Sequence, residues 1–101
     1  MQVKKYNLFL GLNDKDSKKQ EISTLNAYKI LMNYFSGATV TESTGFYKHE
    51  DGTIIIEKSL KIEILDFDNN FNLSQTVNDL KRLFNQESIA VEIQNINSQL
   101  M

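Results

Sequence analysis

From Ala38 to Ile64 the chain reads as two runs of alternating character on either side of one Asp51-Gly52 pair. Alternation sends successive side chains to opposite faces of a strand, and Asp-Gly between two such runs is a strong short-range sign of a β-hairpin. Strand two is expected over about Ala38–Lys48, with Ala38, Val40, Thr44 and Phe46 on one face and Glu42 interrupting it. Strand three sends Ile54, Ile56, Leu60, Ile62 and Ile64 one way, with Lys58 the exception; Ile55, Glu57, Ser59, Lys61 and Glu63 point the other way. Strands commonly run about 5–6 residues, and these two are read at about twice that. They outrun the first strand, so the tip around Tyr47–Ile55 is expected to project beyond the rest of the fold.

The remaining elements follow from period and turn chemistry. Tyr6, Leu8, Leu10 and Leu12 alternate with Asn7, Phe9 and Gly11, which predicts strand one over about Val3–Leu12. A polar loop, Asn13–Ser17, comes next. Ile22, Leu25, Tyr28, Met32 and Phe35, with Leu31 beside them, predict helix one over about Lys18–Ser36, with Gly37 as its left-handed stop. Asp66–Asn70 reads as a turn. Leu73, Val77, Leu80 and Phe84 predict helix two over about Leu73–Asn85, with Asn72 as N-cap and Gln75 three residues on. Ile89, Val91 and Ile93 predict strand four over Ser88–Ile96. The order βαββαβ is that of the ferredoxin-like α+β fold: an antiparallel four-stranded sheet with both helices on one face, formed by residues 1–101 as one domain. The other face is left open and carries Lys5, Asn7, Phe9, Thr39, Thr41, Ser43, Tyr47, Ile55 and Glu57 among others.

Composition narrows the function classes. A formal charge of −2, with lysines and acids interleaved, lacks the basic stripe of a nucleic-acid-binding face. An RNA platform on the open face would need aromatics on strands one and three, and strand three presents Glu57, Ser59, Lys61 and Glu63 instead. Without cysteine there is no disulfide or thiolate chemistry. No apolar run approaches the ~20 residues of a membrane span, so the expected setting is cytoplasmic. Arg82 is the only arginine against many lysines, asparagines and isoleucines, a bias suited to a low-GC bacterium or its phage.

No nucleophile elbow, phosphate loop or triad order is present, and no cofactor or metal site is expected. His49 beside Glu50 and Asp51 reads as a turn residue. Asp66, Asp68 and Asn70 alternate like the start of a calcium loop, but the glycine and the closing glutamate are missing. Glu42 and Lys58 break the inward faces of the hairpin strands, either as a cross-strand ion pair or as a polar ligand pocket where the hairpin leaves the core. An apolar ribbon bearing Phe46, Tyr47, Ile54, Ile55 and Ile56 is normally covered, so it is expected to pack on another subunit. Phe9, Tyr47 and Ile55 are read as the oligomer contacts of a dimer or trimer.

The string Gly37-Ala38-Thr39-Val40-Thr41-Glu42-Ser43-Thr44-Gly45-Phe46, with Lys61-Ile62-Glu63-Ile64 and Ile89-Ala90-Val91-Glu92-Ile93, resembles strands of PII signal-transduction proteins. The resemblance covers about half the chain. It implies a ferredoxin-like trimer with its sheets turned inward and small ligands in clefts between subunits. By that carry-over Thr39, Gly45 and Phe46 would line or support a cleft. The departures are a tight hairpin in place of the family's long signalling loop and Asn85-Gln86-Glu87-Ser88 in place of its phosphate loop. In addition, no basic residue stands in Gln94–Met101.

The first expectation is therefore a non-enzymatic, homo-oligomeric binding or regulatory protein, a phage or mobile-element accessory, taking a small ligand or a host protein. The alternative is a small oligomeric enzyme with its site between sheet and helices and Tyr47, His49 or Glu42 as acid or base.

Overall fold

A computed structural model describes residues 1–101. The elements are β1 (Gln2–Gly11), α1 (Thr24–Tyr34), β2 (Thr39–Lys48), β3 (Ile54–Asp66), α2 (Leu73–Leu83) and β4 (Ala90–Asn97). All strand pairs are antiparallel and the sheet order is β2-β3-β1-β4, the ferredoxin-like arrangement. Neither helix is long and apolar enough to cross a membrane.

The core lies between the sheet and the two helices. Tyr6, Leu8 and Leu10 of β1 and Leu60, Ile62 and Ile64 of β3 supply the sheet side; Ala27 and Leu31 of α1 and Leu80 and Phe84 around α2 supply the other. The apolar area removed from water on this face is the main stabilising term. Tyr34 Oη donates to Asp79 Oδ2 at 2.5 Å and ties α1 to α2. The low dielectric around it and the Asp79 carboxylate hold the Tyr34 hydroxyl above its ordinary value.

Helix one departs from the periodicity at both ends and in its facing. It begins at Thr24, not Lys18, because Asp14 organises residues 14–19 as a turn: its Oδ2 accepts the amides of Asp16 (2.9 Å) and Ser17 (3.1 Å). Lys18 then takes a left-handed φ of 65°. Ser23 is the N-cap, accepting from the Asn26 amide. The helix ends with extended Phe35, and Gly37 is not left-handed. Its buried stripe runs through Ala27 and Leu31, leaving Leu25 and Met32 exposed. A small residue at the contact lets the helix lie close to the sheet, which hydrophobicity alone does not reveal. Helix two starts as expected, with Asn72 Oδ1 accepting from the Gln75 amide, but ends at Leu83 rather than Asn85, which takes a left-handed φ of 48°.

The hairpin closes through Glu50-Asp51-Gly52: the His49 amide donates to Thr53 O, and Gly52 has the positive φ (89°) that the turn needs. The Thr53 amide on Asp51 Oδ1 fixes the turn and holds that carboxyl below its ordinary value.

The hairpin projects, although not because β1 is short. β1 and β2 have 10 residues each. β1 pairs with β3 only over Ser59–Asp66, whereas β2 follows β3 from Glu63 out to Ile54. The offset of register leaves Ile54–Glu57 with β2 as their one ladder partner, the Leu12 amide making the last backbone bond from the β1 side, to Lys58 O. The molecule is accordingly elongated, 49 × 27 × 22 Å.

Candidate functional site

The helix-free face is polar and largely self-paired along its middle. Lys5 Nζ meets Glu63 Oε1 at 2.7 Å, Lys61 Nζ sits 5.9 Å from the Phe9 ring centroid, and the Ser43 and Ser59 hydroxyls are 2.7 Å apart. Where β1 ends and the ribbon continues, this face opens into a cleft of about 430 Å³. Phe9, Gly11, Tyr47, Ile55 and Glu57 form its sheet wall; two loops, Asn13–Lys18 and Gln86–Ser88, form the other.

Glu57 is the fixed group of this cleft. The ladder brings Glu57 beside Asn13, whose amide donates to Glu57 Oε2 at 2.8 Å. The carboxylate lies flat over Gly11: a Cβ there would stand 2.7 Å from Oε2 and 3.0 Å from Oε1. Oε1 has no hydrogen-bond partner in the protein, and Glu57 lines the cleft. Gly45, opposite Glu57 on β2, has open space where a Cβ would be.

The loop wall is braced across long sequence distances. Gln86, nearly buried, donates from Nε2 to Asn13 O at 2.7 Å. Asn85 Nδ2 donates to Asp14 Oδ1 at 2.9 Å and to Asp16 Oδ2 at 2.8 Å, and the Lys15 amide donates to Asn85 O. The Asn85 amide, followed by the Ser17 and Asp16 amides, holds the Asp14 carboxyl below its ordinary value of 3.8. A cleft of this size with an aromatic-apolar wall and a few convergent polar groups is the usual form of a small-molecule site.

The residues singled out from the sequence are divided among different places. Phe9, Tyr47 and Ile55, read as oligomer contacts, line this cleft together with His49, whose ring meets the Tyr47 ring edge-on at 5.2 Å. Glu42 and Lys58 face the helix side instead, in a separate recess of about 240 Å³ with Leu12, Thr24 and Thr44. They form no ion pair: Glu42 opposes Leu60 and Lys58 opposes Thr44, so the two are diagonal. Thr39 lies at the far end of β2 beside Glu63 and Leu65. Phe46 stands 79% exposed on the helix side of the ribbon. Within one chain the three residues implied by the PII resemblance do not converge. The cleft that does form lies on the face away from the helices, not between sheet and helices. Asp66 ties its own turn together: its oxygens accept the amides of Asn70 and Phe71.

Sequence reasoning missed Gly11, Glu57 and both loops. One signal was present. A glycine inside a strand marks close approach by another group, and Gly11 shares a face with Glu57. The loops carry no such sign, because they meet only through contacts more than 60 residues apart.

Among solved structures the chain is similar to a phage SAM lyase in complex with S-methyl-5'-thioadenosine: 22% identity, 95% of this chain against 90% of that one, TM-score 0.65. It is also similar to a phage SAM lyase in the apo state: 25% identity, 91% against 79%, TM-score 0.61. At the first of these identities the likeness is one of fold. Both are phage enzymes, and the second, at 25% identity, sides with the enzyme alternative rather than with a non-enzymatic binding protein. No curated protein matches the chain. Residues 5–99 match the family described as a protein of unknown function, DUF3574, and the chain belongs to that family.

Proposed function

We propose that this chain is a small enzyme that takes S-adenosylmethionine (SAM) into the cleft beside the hairpin and cleaves it to S-methyl-5'-thioadenosine. The observation that carries the reading is the pairing of two facts: a fold shared over 95% of the chain with a protein holding that nucleoside, and a cleft whose chemistry suits it. Phe9, Tyr47 and Ile55 offer a flat apolar wall to a purine, and Glu87, Ser88 and Gln86 offer polar groups to ribose hydroxyls.

In a lyase step the C–S bond to the amino-acid arm breaks and both electrons stay on sulfur. The sulfonium becomes a neutral thioether, and an oxygen of the arm's own carboxylate bonds to the carbon that sulfur leaves, closing a lactone without water. Because positive charge on sulfur disappears, a carboxylate over that atom would favour substrate more than transition state. The gain must come from orientation. Glu57 suits an orienting role because it is anchored at one oxygen by Asn13, rests on Gly11, and is free at the other oxygen to hold a cationic substrate in one pose.

A second copy of the chain is proposed to cover the hairpin tip, where Phe46, Ile54 and Ile56 are 79%, 56% and 68% exposed. Incubation of the purified chain with SAM, followed by chromatography and mass spectrometry, is expected to yield S-methyl-5'-thioadenosine. An unchanged SAM pool would overturn the reading.

A further inference from the structure

We infer that Lys15 and Lys18 read the carboxylate of the substrate's amino-acid arm, so that the cleft selects adenosyl compounds with a zwitterionic arm over the bare nucleoside. The inference rests on the proposed function and adds to it which residues choose the ligand. Five side chains lining the cleft carry formal charge, namely Asp14, Lys15, Lys18, Glu57 and Glu87. Asp14 is consumed by the Asp16 and Ser17 amides of its own loop and by Asn85 from across the fold. The two ion pairs of the chain, Lys5–Glu63 and Asp79–Arg82, involve none of the remaining four. Two cations on one loop and two carboxylates elsewhere on the rim are thus left without charged partners around one cavity.

Both lysines are exposed at the rim, and Lys18 is held there by contacts of its own. Lys18 has a left-handed φ of 65°, and its Nζ donates to Lys15 O at 2.6 Å. The backbone beneath is pinned by Lys15 N–H to Asn85 O at 3.0 Å and Lys18 N–H to Asp14 O at 2.8 Å. An ammonium already held at its own loop's carbonyl retains donors for an anion. The anion could in principle be a phosphate or a carboxylate. Glu57 and Glu87 in the same cleft repel a dianion, whereas an α-ammonium next to an α-carboxylate satisfies both sides.

Isothermal titration of the full chain separates arm from nucleoside. S-adenosylhomocysteine and S-methyl-5'-thioadenosine are both neutral at sulfur and differ by the arm. The native chain is expected to bind the first at least about tenfold more tightly, and the Lys15→Gln/Lys18→Gln chain to lose that preference while binding the second within about twofold. Equal binding of the two by the native chain, or a preference kept by the double variant, overturns the inference and leaves the proposed function standing. Tighter binding of 5'-AMP than of S-adenosylhomocysteine makes the lysines a phosphate site and likewise overturns it. Binding of neither adenosyl thioether overturns the inference together with the proposed function.

Discussion

The two faces of the projecting ribbon begin from the same pair of strands and end differently. On the helix-free face, two loops reach the ribbon and close a cleft around Glu57, which is held by a backbone amide and seated on a glycine. On the helix side the recess holding Glu42 and Lys58 is smaller, and no hydrogen bond orients either charge. Farther out on that side Phe46, Ile54 and Ile56 are more than half exposed. Alternation makes the two faces equally regular. What separates them is whether distant segments arrive to brace the side chains, and a braced charge is useful for chemistry because its orientation costs nothing further at the moment of reaction.

The sharpest way to break this comparison is to neutralise one carboxylate on each face. Glu57→Gln is expected to lower the rate of S-methyl-5'-thioadenosine release about 100-fold, and Glu42→Gln to leave it within about twofold. Equal losses would mean that the braced face has no special part. A finer break moves the carboxylate without removing it. Gly11→Ala places a methyl where the Glu57 carboxylate lies, and the end of that side chain is free to swing aside. The expected cost in stability is about 1 kcal/mol, one hydrogen bond, while activity falls about tenfold or more. Gly45→Ala, with open space at its Cβ, is expected to change neither. Thermal melts and turnover measured on the same preparations check both.

Much of the fold was legible because it rests on local rules. The 2-residue period and the Asp51-Gly52 turn give the hairpin and its register, and Asn72 marks the start of α2. The start of α1 was not legible. Lys18, Lys19 and Glu21 suit a helix, but Asp14 and Asn85, 71 residues apart, hold that stretch as a turn. The site failed for the same reason. Its sheet wall follows from strand parity, which placed Phe9, Tyr47, Ile55 and Glu57 on one face, whereas its loop wall depends on tertiary contacts that no local pattern encodes.

The uncovered face supplies the next test. If a second copy covers the tip, sedimentation of the native chain gives a mass above that of one chain, and Phe46→Asp with Ile56→Asp returns it to one chain. Burying an unpaired charge in such a contact is costly. A native mass of one chain at working concentration removes the contact, and the contrast between the faces then becomes one between a used surface and a bare one.

The smallest expected effect concerns the brace itself. Asp14 is held below its ordinary value of 3.8 chiefly by Asn85 and then by the Ser17 and Asp16 amides, so the folded loop binds its proton less readily than the unfolded chain does. The sign follows: this contribution is fully present above about pH 5 and fades as pH falls through and below 3.8 toward the folded value. Proton NMR of the Asp16 and Ser17 amides should move with a midpoint under 3.8, and Asp14→Asn should abolish that movement. Loosening the loop withdraws the wall that carries Lys15 and Lys18 and leaves the Glu42 recess untouched, because no residue of that recess bonds to Asp14. A midpoint at or above 3.8 would mean that the Asn85 tie is not formed in solution, and the cleft would then be no better braced than the face opposite.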